Sequence, residues 1–401
     1  MTRTVETLPN AFPVDRAPAE TPPVHLHIPT PGDHYSPATG SAVMTVIHAI
    51  ACEHAAVGGE TRLLVSRGTR HDYEVGGCQE VEPTTPPRRW QKAIDIGVAR
   101  AGGRRFFTEK TYRPFGQAIP PDFEGCVFVH NGPEAVRAVR ARAPRAQVIL
   151  WMHNPVFQHY ARHEIERIES SLDRIVGVSG VIARSVETRL GRASSKIRVV
   201  HNGVDTRRFQ PIPKPRDSGP CVILFVGRIQ PIKGADLLLK AACLLAVEGL
   251  DFRVRVVGSS GFDAGDSLTD YECRLRDLAR PLGDRVTFRP FANRKEVVQE
   301  YHQATIFCAP SNWEEPFGLT VAEAMACGLP VVASRRGGIP EFAGDNVLYF
   351  KPPDVDELAT RLRFLIQNPA AREAFGASAH AAARQLDWSC SYRNLLAALG
   401  R

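Results

Sequence analysis

No stretch of this 401-residue chain is apolar for the roughly 18–20 positions that a helix needs to cross a bilayer. Residues 1–23 are polar and proline-rich and lack the apolar stretch of a secretory signal, so they are expected to form a disordered leader. The nine cysteines make no Cys-x-x-Cys pair and show no metal-ligand spacing. An odd, dispersed set of thiols in a long chain points to reduced, mostly buried cysteines in a cytoplasmic enzyme rather than to a disulfide scaffold. No Gly-x-Gly-x-x-Gly follows an apolar run with an acidic residue about 20 positions later, which ranks a NAD-dependent oxidoreductase last. No internal repeat with a period of about 20–50 residues is visible, which sets aside solenoids and propellers.

What is present is an ordinary globular composition, with 43% hydrophobic and 23% charged residues. A chain of this length is expected to fold as two domains of about 150–200 residues. The net charge of +7 is concentrated in one place. Arg88, Arg89, Lys92, Arg100, Arg104, Arg105, Lys110 and Arg113 stand against only Asp95 and Glu109 in the segment 88–113. Trp90, Ile94, Val98, Phe106 and Phe107 interleave with these cations. Such a segment suits a peripheral contact with an anionic membrane or an acidic soluble acceptor, and equally a plain solvated face. A nucleic-acid partner is not expected.

Apolar runs at 222–226, 254–257, 286–288, 305–309 and 330–333 alternate with helical spacing at 236–246 and 270–279. Strands and helices alternating over such lengths argue for a parallel sheet covered on both faces. The N-terminal half repeats the pattern less cleanly, with strands read at 24–28, 62–65, 127–130, 148–152, 175–179 and 197–201 and a helix at 41–54. The proline-rich stretch 211–219 is read as a linker between a first domain, 24–210, and a second, 220–380. Residues 381–401 are read as a helical segment returning to the first domain. The fold class expected is α/β, two doubly wound Rossmann-like domains facing across a cleft at the carboxyl ends of both sheets.

The densest chemical signal is Glu314-Glu-Pro-Phe-Gly-Leu-Thr-Val-Ala-Glu-Ala-Met-Ala-Cys-Gly328. Glu315 and Glu323 are eight residues apart, roughly 12 Å of rise if both lie on one helix, so one elongated ligand could touch both. Backbone N–H groups at Phe317, Gly318 and Leu319, at the positive end of the helix dipole, would suit a pyrophosphate. The plainer reading makes Glu315 a cap and Glu323 a solvated helix residue. A second constellation weighs against it: the run 222–226 leads into Gly227-Arg228 and Lys233-Gly234. Two cations on a strand-to-helix loop can neutralise a leaving diphosphate, the arginine through its fork and the lysine as a point charge.

Together with Val200-His-Asn-Gly-Val-Asp205 and Gly337-Gly-Ile-Pro-Glu341, these motifs resemble family-4 glycosyltransferases of the two-Rossmann, GT-B type. The resemblance is dense over 173–365 and looser over 24–160. It implies a retaining, nucleotide-sugar-dependent hexosyltransferase with a UDP-sugar as the default donor and a small-molecule, glycan or lipid-linked acceptor. Arg228 and Lys233 would hold the donor pyrophosphate, Glu315 the sugar hydroxyls and Glu323 the ribose hydroxyls. Arg289, Pro290 and Phe291 would lie beside the base. Gly40, in Pro37-Ala-Thr-Gly-Ser41, occupies the place of the family's glycine-rich loop, with Thr-Gly-Ser where a Gly-Gly pair is common. His153 matches a cleft histidine that contacts the donor sugar, and a strand-end histidine satisfied by a neighbour is the alternative. No cofactor is implied and no metal: the chain is read as having no Asp-x-Asp motif, and the cations with the helix N-terminus would meet the leaving diphosphate. With no carboxylate read as a nucleophile in the first domain, a front-face substitution is favoured. The competing readings are a GT-B phosphorylase or sugar-nucleotide epimerase, and a catalytically silent nucleotide-sugar-binding protein. The expected location is the cytoplasm, with peripheral contact at the inner face of the membrane as the further reading.

Overall fold

Strand-forming sequence in this chain comes as near-continuous apolar runs, such as Cys-Val-Phe-Val-His and Gln-Val-Ile-Leu-Trp-Met, which is what a parallel sheet buried on both faces requires. The computed structural model describes residues 22–82, 84–212, 219–261 and 267–401. The leader read at 1–23 and the linker read at 211–219 lie largely outside them. Seven parallel strands build the first domain: β1 (His25–Ile28), β2 (Thr61–Ser66), β3 (Gly77–Val81), β4 (Cys126–His130), β5 (Gln147–Met152), β6 (Arg174–Gly177) and β7 (Ile197–Val199). Six more form the second: β8 (Cys221–Val226), β9 (Phe252–Val257), β10 (Val286–Arg289), β11 (Ile306–Ala309), β12 (Val331–Ser334) and β13 (Leu348–Phe350).

Strand order is β3-β2-β1-β4-β5-β6-β7 in one sheet and β10-β9-β8-β11-β12-β13 in the other. Each order reverses direction at its centre, between β1 and β4 and between β8 and β11. Loops leaving the two strands at such a point diverge and leave a crevice beyond their carboxyl ends. The loops after β1, β4, β8 and β11 all line one cleft between the domains.

Local chemistry fixes the helices that flank these loops. Ser41 N-caps the helix Ala42–Ala56 by accepting a hydrogen bond from Met44 N at 3.4 Å. Thr269 and Glu272 form a capping box at the start of Asp270–Ala279. Asp354 caps Val355–Gln367 by accepting from Glu357 N at 2.8 Å. That cap belongs to the chain's Asp354-Val355-Asp356, an Asp-x-Asp spacing that the sequence reading passed over.

Two contacts tie the domains together away from the cleft floor. Glu341 of the second domain accepts from Gly180 N at 2.5 Å and from Val181 N at 2.9 Å, capping the helix Gly180–Leu190 of the first. The last helix, Trp388–Leu399, packs its Trp388, Tyr392, Leu395 and Leu399 into the first domain's core. Tyr392 Oη lies 2.7 Å from His54 Nδ1, and Gln147 Nε2 donates to Leu399 O at 3.1 Å.

Candidate active site

Gly234 and Gly337 set the backbone on which the second-domain wall rests. Gly234 has φ +72°, and a Cβ there would lie 1.9 Å from Pro310 O, so only glycine lets the loop after β8 pass so close to the loop after β11. Gly337 has φ +64°, and its Cβ would fall 2.1 Å from Glu315 O. Gly338 N then donates to Glu315 O at 2.7 Å. These approaches fix Glu315 from both sides.

Glu315 therefore sits on the loop before the helix Leu319–Ala326, not on the helix itself, which corrects the shared-helix geometry read from the eight-residue spacing. Gly318, with φ +104°, turns the chain into that helix, and the N–H groups of Gly318, Leu319 and Thr320 precede its first hydrogen bond, from Val321 N to Gly318 O at 3.0 Å. Glu323 lies about one turn along it. Both carboxylates are buried, and each meets a cation from a different strand-end loop. Lys233 Nζ donates to Glu315 Oε1 at 2.7 Å and Oε2 at 3.0 Å, and Ser311 Oγ donates to the same carboxylate. Arg294 pairs with Glu323 Oε1, and Tyr301 Oη donates to Glu323 Oε2 at 2.9 Å.

Arg228 is exposed on the cleft wall, and its guanidinium makes no ion pair among the described residues. Gly40, Arg228 and Leu319 line both halves of the cleft. One half is a hollow of about 140 Å³ that also takes in Phe291, Arg294 and Glu323. The other, of about 390 Å³, holds Lys233, Glu315, Gly318 and His153. Two residues read as donor-binding stand elsewhere. Arg289 pairs with Glu300 at 3.2 Å, and with Pro290 it borders a separate small hollow beside Phe288 and Glu272. The strand ends at Arg289, so the chain reaches the cleft only with Phe291 and beyond. Phe317 lines the cleft as read, with its ring buried and stacked on Phe342 at a centroid separation of 4.4 Å.

The opposite wall belongs to the first domain. His153 follows β5 and is bonded through Nε2 to His130 Nδ1 at 2.9 Å. Burial pushes its pKa down to about 3, so the ring is neutral across the physiological range. Asn131 adopts φ +53°, an unusual conformation for a side-chain-bearing residue. Its Oδ1 accepts from His153 N at 2.8 Å and Asn154 N at 3.2 Å, which holds the histidine loop against the cleft. Asp33 lines the same wall, and burial raises its carboxyl above the usual carboxylate range.

Arg294, Tyr301, Asn131 and Asp33 were not singled out from sequence. Arg294 stands three residues beyond the loop read as the base site and belongs to no motif, and Tyr301 looks like an ordinary helix residue. Arg294 and Tyr301 meet Glu323 only through the packing of the segment after β10 against the helix Leu319–Ala326.

Two doubly wound parallel domains with their switch points facing across one cleft constitute the GT-B architecture. The sequence profile described as Glycosyl transferases group 1 matches residues 206–382, and Glycosyltransferase Family 4 matches 43–208. Spore coat protein SA of Bacillus subtilis is 31% identical over 290 residues, covering 67% of this chain and 76% of that protein. A D-inositol 3-phosphate glycosyltransferase of Kribbella flavida is 34% identical over 245 residues, covering 58% of this chain and 57% of that one. The chain thus spans just over half the length of that glycosyltransferase. Among solved structures, sucrose-phosphate synthase of Thermosynechococcus elongatus matches with TM-score 0.70 at 18% identity, over 93% of this chain and 97% of that one. Anabaena HepE in complex with UDP-glucose matches with TM-score 0.69 at 18% identity, over 94% and 99%. The chain belongs to glycosyltransferase family 4.

The Glu323–Arg294 pair carries a stability consequence. Removing one partner of a buried ion pair strands the other charge, at about 3 kcal/mol. Arg294→Met is expected to lower stability in urea unfolding by about that amount, and the double variant Arg294→Met/Glu323→Gln by clearly less. An unchanged unfolding midpoint in Arg294→Met would contradict the pairing.

Proposed function

We propose that the protein moves a hexosyl group, with retention, from a nucleoside diphosphate sugar, UDP-sugar by default, to a hydroxyl of a small-molecule, glycan or lipid-linked acceptor. One observation carries this reading: Arg228, Lys233, Gly318 and Leu319 line one hollow with Glu315 and His153, and Arg228 and Leu319 also line the adjoining hollow that holds Glu323. A nucleoside in the first hollow, with its ribose hydroxyls toward Glu323, would put its diphosphate on those donors and its sugar between Glu315 and His153. Support comes also from HepE, whose structure is described as a complex with UDP-glucose.

In the proposed reaction the bond from the sugar's C1 to the diphosphate oxygen breaks as the bond to the acceptor oxygen forms on the same face. The acceptor proton passes to the departing phosphate oxygen. Charge growing on the diphosphate meets Arg228, Lys233 and the helix N-terminus, donors already fixed before the reaction. Lys233, held by Glu315, is poised at this point, and Glu315 can accept from sugar hydroxyls with its remaining lone pairs. Neither step calls on a divalent metal.

Glu315→Gln and Lys233→Ala should each reduce kcat by about a hundredfold with little change in Tm, since each removes one electrostatic contact at the reacting centre. Rates should persist in EDTA. Near-normal kcat in either variant removes the role assigned to it, and loss in EDTA with rescue by magnesium or manganese removes the metal-free route.

The same proposal extends to where the enzyme works. On the helix Arg89–Arg100, Trp90, Ile94 and Val98 recur every four residues and are about half exposed, and Phe106 is 67% exposed beside them. Arg88, Arg89, Lys92 and Arg100 are exposed on the same segment, and Arg104 is exposed but paired with Glu109. Arg105 is not exposed: it is buried against Glu164 at 2.8 Å and stacked 3.8 Å over the Tyr160 ring, a structural pair rather than part of a basic surface. An apolar strip on a segment with exposed cations complements an anionic bilayer surface, each such cation contributing about 1 kcal/mol. No helix among the described residues is long and apolar enough to cross a membrane. In sedimentation with vesicles at low salt, the wild type should bind anionic and not neutral lipid. Trp90→Ser/Ile94→Ser and Arg88→Glu/Arg89→Glu should each lose that binding. Absence of wild-type binding, or binding indifferent to both variants, contradicts the contact.

A further inference from the structure

Three neighbouring strands each bring an imidazole to one face of the first sheet, stepping diagonally because His27 is paired with Phe128 and His130 with Trp151. His27 lies on β1, His130 ends β4, and His153 follows β5. His130 Nδ1 is hydrogen-bonded to His153 Nε2 at 2.9 Å, and His130 Nε2 to His27 Nδ1 at 2.9 Å. His27 and His130 are fully buried. The inner end of this chain is dry. His27 Nε2 is buried with no hydrogen-bond partner among the described residues. The next imidazole, His25, stands edge-on with ring centroids 6.2 Å away and makes no bond to it. At the outer end, His153 Nδ1 is the ring nitrogen left for the cleft. Asp33 shares its wall, and Arg228, Lys233 and Glu315 line the opposite side.

Counting protons decides the orientation of the chain. Three neutral imidazoles carry three N–H protons, and two of them occupy the two N···N bonds. The third has only two positions that keep both bonds: His27 Nε2 or His153 Nδ1. On His27 it would be a buried donor with no acceptor, an arrangement that native proteins almost never keep, whereas a bare buried lone pair is better tolerated. On His153 it faces the cleft. We infer that His130 and His27 are positioning residues that hold His153 in the tautomer protonated at Nδ1, so that it enters the reaction as a fixed, neutral hydrogen-bond donor. The atom it recognises is therefore an oxygen lone pair of the sugar or its diphosphate, and a ligand amine at that point is disfavoured.

Burial keeps the array neutral. It pushes the pKa of His27 and of His153 down to about 3 and that of His130 well below the usual imidazole value, with the neighbouring imidazoles adding to the effect at His27 and His130. Reversing His153 from donor to acceptor would require both inner protons to cross their bonds while one proton leaves His153 Nδ1 and another reaches the buried, unpartnered His27 Nε2. A neutral histidine whose second nitrogen is bonded keeps the tautomer which that bond dictates. The assignment concerns the cleft in which glycosyl transfer is proposed, and its kinetic test rests on that reading, whereas its spectroscopic test does not.

The tautomer is read from long-range proton–nitrogen correlation spectra of the full chain with ¹⁵N-labelled histidine, His153 being assigned by loss of its signal in His153→Phe. The expected result is the neutral, Nδ1-protonated form from about pH 5.5 to 8. An Nε2-protonated form, or titration of His153 within that range, overturns the inference whatever reaction the enzyme performs. In the kinetic arm, His130→Phe removes the donor to His153 Nε2 and should lower kcat by at least about tenfold, as a misoriented histidine does elsewhere. His130→Gln, whose amide can donate to the same nitrogen, should recover most of the loss. Equal rates in the two variants at equal Tm would show that His130 only fills space.

Discussion

The cleft depends on keeping two carboxylates buried. Glu315 and Glu323 are almost wholly withdrawn from solvent, and an unpaired carboxylate in such a place is costly. Each is matched by a cation delivered from another strand end: Lys233 from the loop after β8, Arg294 from the loop after β10. Those pairings require the loops after β8, β10 and β11 to converge, and the convergence requires Gly234 and Gly337, where no side chain fits. Once the loops converge, the helix Leu319–Ala326 must present its N-terminus to the cleft between the two pairs. Donor chemistry and loop architecture are therefore one constraint.

The first domain meets this wall with a different kind of polarity. It contributes neutral imidazoles, amides and a carboxyl whose burial favours protonation, with no ion pair among the described residues to mirror those opposite. That asymmetry suits a reaction in which negative charge develops on one side, at the diphosphate, and a neutral hydroxyl approaches from the other. Glu341 holds the two walls in register by capping a first-domain helix, and the last helix closes the back by returning to the first core. The role of Gly337-Gly-Ile-Pro-Glu341 thus divides between shaping the Glu315 loop and bridging the domains.

Much of this was legible in the residues. Eleven of the strands announce themselves as apolar runs, and the helix Asp270–Ala279 falls where its spacing put it. β3 and β13 escaped because they are edge strands. β3 exposes most of its residues and β13 spans three, so neither carries an apolar signal. Arg228, Lys233, Glu315 and Glu323 stand out by motif, yet their partners do not. Arg294 meets Glu323 across 29 residues and His130 meets His153 across 23, and neither spacing is periodic in a helix or strand. Arg105 misled for the opposite reason: composition places it in a basic run, and burial against Glu164 takes it out. Charge is read from sequence, whereas its partner is set by packing.

The central claim is an ordered donor site, with the nucleoside at Glu323 and the diphosphate at Lys233 and Arg228. Calorimetric titration of uridine, UDP and UDP-glucose into the wild type, Glu323→Ala and Lys233→Ala tests it most directly. The account predicts that Glu323→Ala weakens all three ligands, whereas Lys233→Ala weakens UDP and UDP-glucose and leaves uridine unchanged. Equal weakening of uridine by Lys233→Ala, or wild-type affinity for every ligand in Glu323→Ala, would contradict it.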